Sequence, residues 1–389
     1  MINQKTAEFP THVCPLRYGS RGGSQILYEG LVFQKHTRVQ TFSISSTMPA
    51  LSSKDAAPTV LVSGANGYLA TWIIDVLLKR GYIIRAAVRT EAKGQDVLEL
   101  FQSHREKGKI DLVVVGDIAT EGAFNEAVKD VDGIIHTATP VHLGAREPSE
   151  MIDPAVNGTL GLLKSAMKFG NNLKRVIITS SCAAVKEAVL KPNLDETDWN
   201  ELSVLECEQK GKNAHPLDMY AASKTISEKS AWQFVQEHTS ELKWDLTVLT
   251  PPWIFGPPLH KVTSLENLNS SNMYWYKAVY GEIAFGQDPD TDPMHGWMDI
   301  RDAAEAHARA METPAAGGER IIVCAGSPYV WNDLRDAAKG VPPKVHSVGI
   351  IFNTAKADRI LGLEYRSLKQ MTSDMLAYVT KMGWQCQVR

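Results

Sequence analysis

Tyr220-Ala221-Ala222-Ser223-Lys224 places a phenol and an ammonium four residues apart. On a helix such a pair shares one face. A cation beside a phenol stabilises the phenolate and draws its pKa down from about 10. The pair is then suited to hand a proton to a carbonyl oxygen, with Tyr220 as the general acid. A hydroxyl that orients the same oxygen would complete the site. Ser181, in Thr179-Ser180-Ser181, is the candidate, because it follows an apolar run that reads as a strand. Each residue alone could equally be a cap or a satisfied polar group. The reading rests on the ordered set.

A second group reads as a dinucleotide site. Gly64-x-x-Gly67-x-x-Ala70 stands between a β-branched run and an amphipathic segment. Such a turn brings Gly64, Asn66, Gly67, Tyr68 and Leu69 to a helix N-terminus, where bare N–H groups hold a pyrophosphate. About twenty residues on, the second strand ends at Arg89, where an NAD site would place an acid, and Lys93 follows one turn later. Two cations suit the 2′-phosphate of NADP; the alternative is a pair of solvated surface charges. Asp117, beside Ile118, either accepts from an adenine amino group or caps the next element. Thr137, Ala138 and Thr139 are placed to line the cofactor and Pro140 the substrate. Pro251 and Trp253 would wall the nicotinamide and the substrate, and Tyr220 and Lys224 would also touch the cofactor. Val156-Asn157-Gly158-Thr159 could hold a water or bend its helix. Cys182 reads as a small core residue rather than a nucleophile.

These side chains need a frame, and the hydrophobic pattern supplies one. Apolar runs at Thr59–Ser63, Ile83–Val88, Leu112–Val115, Gly133–His136, Arg175–Thr179 and Leu246–Leu249 read as strands. Helical segments alternate with them, at about 68–80, 92–107, 120–129, 150–169 and up to His238. Strict alternation predicts an α/β fold, a doubly wound parallel sheet with helices on both faces. Past residue 255 the alternation becomes irregular. The expected division is an N-terminal extension over 1–56, an NADP-binding domain over 57–255 and mainly a substrate lobe over 256–389, with some elements returning to the sheet. The extension is Ser-rich and weakly basic. It reads as a disordered or over-extended leader starting ahead of a plausible true start at Met48, with a targeting segment as the alternative.

Composition narrows the function class. Of 389 residues, 44% are hydrophobic and 22% charged, which is enough apolar content for a real core. Forty-one basic against forty-four acidic side chains leave a net charge of −3, so nothing electrostatic points to nucleic acid or an anionic membrane. No apolar run approaches the ~20 residues of a membrane span. Five cysteines without a CxxC spacing suggest neither a disulfide framework nor a metal site. A reducing, cytoplasmic setting and a monomer or homodimer are expected.

Taken together, GANGYLA at 64–70, VR at 88–89, GD at 116–117, HTATP at 136–140, VNGT at 156–159, TSSCAAV at 179–185, ETDWN at 196–200, YAASK at 220–224, PPWIFGP at 251–257 and WMDIRDAAEAH at 297–307 resemble the extended short-chain dehydrogenase/reductase family. The nearest likeness is to its dihydroflavonol-reductase-like branch, with fungal aldehyde and ketone reductases, from residue 59 to the C-terminal end. The resemblance implies a Rossmann fold, catalytic roles for Ser181, Tyr220 and Lys224, and NADP selection by Arg89 and Lys93. One departure is Thr250, where relatives often carry Asn before the matching proline; it is expected to reshape a substrate or carboxamide contact. Loops at about 186–218 and 257–296, with Trp199, Met219, Trp253, Met273, Tyr274 and Trp297, are apolar and aromatic. They suggest an uncharged carbonyl compound as the small-molecule substrate. The rival readings are a sugar-nucleotide epimerase or dehydratase, which would need polar contacts to a diphosphate, and a non-catalytic dinucleotide sensor, which would not need the Ser/Tyr/Lys set.

Overall fold

The β-branched and aliphatic runs form parallel strands, and the segments between them form helices. The computed structural model describes residues 50–51, 57–139, 144–186, 193–281, 296–342, 344, 346 and 349–384. The chain runs β1 (Thr59–Ser63), α1 (Tyr68–Lys79), β2 (Ile83–Val88), α2 (Glu91–Leu100), α3 (Gln102–Arg105), β3 (Ile110–Val114), β4 (Gly133–His136), α4 (Ser149–Phe169) and β5 (Arg175–Thr179). Then come β6 (Asn193–Leu194), α5 (Glu201–Lys210), α6 (Pro216–Glu237), β7 (Asp245–Thr250), β8 (Trp253–Phe255) and α7 (Ser270–Tyr280). It finishes with β9 (Trp297–Asp299), α8 (Ile300–Glu312), β10 (Arg320–Ile322), α9 (Trp331–Ala338), β11 (Ile351–Phe352), α10 (Ala355–Leu361) and α11 (Leu368–Lys381).

Seven of these strands form one parallel sheet in the order β10-β7-β5-β4-β1-β2-β3. The chain winds outward one way from β1 and the other way from β4. This is the doubly wound Rossmann arrangement, and ligands bind at the carboxyl edge where the winding reverses. Side-chain alternation divides the core. Val60 and Val62 of β1 face Ile73, Ile74 and Leu77 of α1 and the alanine face of α8. Leu61 points the other way, toward Phe124, Leu162, Leu163 and Phe234. Each fully buried aliphatic side chain stabilises the fold by about 1.5–3 kcal/mol. Two-sided burial explains why these strands read as continuous apolar runs.

The structure departs from the sequence reading in places. Residues 120–129 form successive turns, not a helix. Gly122 takes a positive φ of 76°, and i→i+3 bonds such as Asn125 N to Gly122 O replace the helical ladder. Phe124, Ala127 and Val128 still bury against the sheet. The expected helix over 92–107 breaks at Phe101, whose ring turns into the core. Leu51 lies ahead of the boundary set at residue 57, yet it is 1% exposed and packs beside Gly133 and Met311. The remainder of the 1–56 extension, apart from Ala50, lies outside the described residues.

C-terminal to β7 the chain divides its elements. β10 extends the main sheet beside β7, and α8 packs on α1. Phe255, Trp275, Tyr276, Trp297, Tyr329, Trp331, Met371 and Met375 form a separate aromatic and methionine-rich core around α7, α9 and α11. At the amino edge of the main sheet, Arg175 grips Asp245 through two bonds of 2.6 and 2.9 Å and reaches the carbonyls of Ala310 and Thr313. Among the described residues no helix is long and apolar enough to cross a membrane, and no cluster of His, Cys, Asp and Glu could hold a metal ion.

Candidate active site

The glycine turn follows β1 at the carboxyl edge. Gly64 has φ 64°, in the left-handed region that favours glycine, and a Cβ there would meet Ala138 Cα at 3.1 Å. A Cβ on Gly67 would meet the Gly64 carbonyl at 3.0 Å. α1 starts with Gly67 as its cap residue, with no side-chain cap and no acid in its first turn. Its leading N–H groups, on Tyr68 and Leu69, therefore have the bare, positive character that a pyrophosphate requires. The Tyr68 side chain turns elsewhere: its hydroxyl donates to the Gly256 carbonyl at 2.8 Å and ties the turn to the loop after β8.

Arg89 directly follows β2 and Lys93 sits in the first turn of α2, where the Thr90 hydroxyl caps the helix. Both cations are exposed, and neither side chain has a partner among the described residues. Two unpaired cations beside a glycine turn suit a 2′-phosphate. Asp117 is also exposed, but its carboxylate accepts from Ala119 N at 3.1 Å, so it caps the turn that follows, with Ile118 packed against α4 at Gly158.

β4 delivers the third wall. Ser63 Oγ accepts from Thr137 N and Ala138 N, both at 3.1 Å, so its proton goes to His136 Nδ1 at 2.8 Å. His136 then carries its own proton on Nε2, which finds no partner among the described residues. Burial first, and the nearby Lys224 ammonium second, lower its pKa to about 3. The ring is therefore neutral at any working pH. Thr139 reaches the Lys224 ammonium, while Pro140 lies outside the described residues.

α6 carries the acid. His215 caps it and Pro216 opens it, as a preset φ allows. Tyr220 and Lys224 sit one turn apart on its inner face. The Ser181 hydroxyl lies beside the Tyr220 phenol, where it pulls the phenol's pKa down, and it accepts from Ala183 N at 3.1 Å. Lys224 is 7% exposed and donates to Thr139 Oγ1 at 3.2 Å and the Thr179 carbonyl at 3.3 Å. Burial lowers its pKa to about 8, and the Glu228 carboxylate pulls the other way. The effect expected of Lys224 on the phenol is not what the protein's own groups produce. Burial raises the Tyr220 pKa above its ordinary value, and Ser181 offsets part of that. A phenol held in its protonated form is ready as an acid.

Sequence reasoning missed the residues that fasten this edge. The Thr179 hydroxyl is bound to His307 Nε2 at 2.8 Å, and His307 Nδ1 donates to the Ala303 carbonyl at 2.7 Å. Ser180 donates to Glu228 at 2.5 Å. Thr179 and Ser180 are thus held by α8 and α6, and Ser181 stands beside the Tyr220 phenol. The available signals were Glu228 standing four residues after Lys224 and His307 closing the WMDIRDAAEAH segment.

Other expectations move. Thr250 is fully buried, and its hydroxyl donates to the Ile321 carbonyl at 3.3 Å; it belongs to the sheet rather than to a ligand contact. Pro251 is buried, and its carbonyl accepts from Cys182 N, holding the loop after β7 against Ser181. Cys182 is a core residue, with its thiol pushed up by burial. Trp253 joins Tyr274 and Trp331 at ring distances of 5.1 and 5.7 Å. Met219 and Trp297 are core side chains, 2% and 7% exposed, and do not wall a substrate space. Trp199 stacks on Arg320.

Known proteins are similar to this chain in sequence and fold. Residues 60–326 match the NAD dependent epimerase/dehydratase family. A ketoreductase, azaE, of Aspergillus niger is 32% identical over 82% of this chain and 96% of its own length. An NADPH-dependent methylglyoxal reductase, GRE2, of Saccharomyces cerevisiae is 29% identical over 83% of this chain and 98% of its own. The crystal structure of Gre2 from Candida albicans in complex with NADPH superposes with a TM-score of 0.74 at 28% identity, covering 83% of this chain and 99% of that one. With its parallel seven-stranded sheet, glycine turn and Ser/Tyr/Lys edge, the chain belongs to the NAD dependent epimerase/dehydratase family, in the extended short-chain dehydrogenase/reductase group alongside fungal reductases.

Proposed function

We propose that this protein reduces an aldehyde or ketone to the alcohol with NADPH. The observation that carries this is the Tyr220 phenol beside Ser181 on the carboxyl edge, with the Lys224 ammonium one turn behind it on α6. The turn at Gly64 and Gly67 and the unpaired Arg89 and Lys93 support NADPH, as do the names of the relatives. NADPH, when bound, supplies the hydride.

The chain's own residues do the rest. Ser181 orients the carbonyl oxygen by donating a hydrogen bond that strengthens as charge builds there. Tyr220 Oη gives up its proton to that oxygen. Lys224, held by Thr139 and Thr179, stabilises the phenolate left behind and would also touch the ribose. The glycine turn and α1 would hold the pyrophosphate, and Arg89 with Lys93 would hold the 2′-phosphate. The aromatic lobe around Trp253, Tyr274 and Trp331 favours uncharged substrates.

The test is NADPH oxidation, followed by absorbance, against a panel of aldehydes, ketones and dihydroflavonols, with NADH in parallel. Carbonyl-dependent oxidation of NADPH is expected. Turnover of a sugar nucleotide with no net cofactor consumption would instead assign an epimerase. Tight cofactor binding with no turnover on any panel member would assign a sensor.

A further inference from the structure

Tyr220, Lys224 and Glu228 follow at steps of four on α6, so one helix face carries the acid, the ammonium and a carboxylate. Glu228 is 1% exposed. One oxygen accepts from Ser180 Oγ at 2.5 Å; the other accepts from Arg320 Nε at 2.6 Å and from Trp232 Nε1 at 3.3 Å. Arg320 comes from β10, is 4% exposed, donates from Nη2 to the Ser180-bound Glu228 oxygen at 3.4 Å as well, and reaches the carbonyls of Glu196, Asp198 and Ala184. Its guanidinium lies 3.7 Å over the Trp199 ring. Glu196 Oε1 accepts from Ile322 N at 3.1 Å, and the Asn200 amide donates to the Ala183 carbonyl at 2.9 Å. The ETDWN segment is thereby fastened to the edge strand and to the loop that carries Ser181. A buried ion pair adds little stability over an apolar pair of the same shape, so stability alone does not account for its place.

We propose that Glu228 is a positioning residue: braced by Arg320, its carboxylate sets the Ser180–Ser181 strand end and stands one helical turn from the Lys224 ammonium, on the α6 face that carries Tyr220. This rests on the reading in which Ser181, Tyr220 and Lys224 carry the reduction. The groups facing Lys224 are Tyr220 and Glu228 on its own helix, neutral His136 and Thr139 from the end of β4, and the Thr179 carbonyl from β5. Arg320 stands behind Glu228 and is paired to it. Glu228 is therefore the anion whose removal weakens the hold on the Lys224 charge.

The experiment is the pH profile of kcat/KM for NADPH in the full chain and in Glu228→Gln, Glu228→Asp and Ser180→Ala. In Glu228→Gln the alkaline limb is expected to move by about 1 pH unit toward acid, so activity lost near neutrality returns at lower pH. Glu228→Asp keeps the charge and should restore the limb. Ser180→Ala should lower kcat and leave the limb in place. Glu228→Gln leaves Arg320 unpaired and could fail to fold. The double variant Glu228→Gln/Arg320→Met removes both charges and should show the same direction of shift. A limb unmoved in the folded Gln variant or in the double variant, with Tyr220→Phe and Lys224→Met inactive, overturns the role of Glu228 alone. Full activity in Tyr220→Phe and Lys224→Met overturns the underlying reading instead.

Discussion

Tyr220 and Lys224 divide the work, and substitution should separate their contributions. Tyr220→Phe keeps the ring and its packing but removes the proton. Turnover should fall by about 10² to 10⁴, while NADPH affinity, followed by fluorescence, stays nearly constant. A variant within a few-fold of the natural chain would falsify Tyr220 as the acid. Ser181→Ala should cost turnover by about 10² to 10³ through lost orientation of the oxygen. Lys224→Met should cost both turnover and cofactor affinity. The lysine also sets a pH dependence. Burial lowers its pKa to about 8, so the cation is present below that pH and is lost as pH rises through it. kcat/KM for NADPH, which reports the free enzyme, should fall above about pH 8. The kcat limb should lie at higher pH, because bound phosphates favour the charged form.

Two elements set the cofactor site, and each gives a separate readout. Gly64→Ala forces a side chain into a left-handed position and against Ala138. It should weaken NADPH and NADH binding alike, measured by titration of intrinsic fluorescence. Arg89→Ala/Lys93→Ala acts only on the 2′-phosphate. It should raise the KM for NADPH far more than that for NADH; an unaltered enzyme that prefers NADH would contradict the assignment. Both substitutions stand at the carboxyl ends of neighbouring strands, β1 and β2, which pair in register from Thr59↔Ile83 to Ser63↔Ala87. That pairing brings the turn and the cations to one edge.

On the scale of the whole molecule, the described body extends N-terminally to at least Leu51. Its backbone N donates to the Met311 carbonyl at 3.3 Å, and its side chain fills the space beside Gly133. Leu51→Ala should destabilise the fold by about 2 kcal/mol or more, seen as a lowered Tm with kcat unchanged. A chain beginning at Met48 should keep its activity and Tm, since the motifs and core strands begin at Thr59. One beginning at Pro58 should lose Tm to the same degree as Leu51→Ala.

The strands, the parallel winding and the order of the motifs were legible because each depends on local pattern. Apolar runs make buried strands, glycines make the turn after β1, and a spacing of four puts Tyr220 and Lys224 on one helix face. Where local pattern is ambiguous, tertiary contacts decided. Residues 120–129 carry the apolar spacing of a helix and form turns, because Gly122 breaks the ladder while Phe124 still reaches the core. Thr250 and Trp297 look like ligand contacts in the sequence, yet Thr250's partner Ile321 lies 71 residues away, and Trp297 is fixed by packing in the lobe core. The direction of the Tyr220 pKa followed the same rule. Spacing shows which charge is near, but burial, which only the folded chain creates, outweighed it. Glu228 and Arg320 are 92 residues apart in the chain and 2.6 Å apart in space. Parallel pairing through β5, β7 and β10 makes that contact, and no periodicity within either segment encodes it.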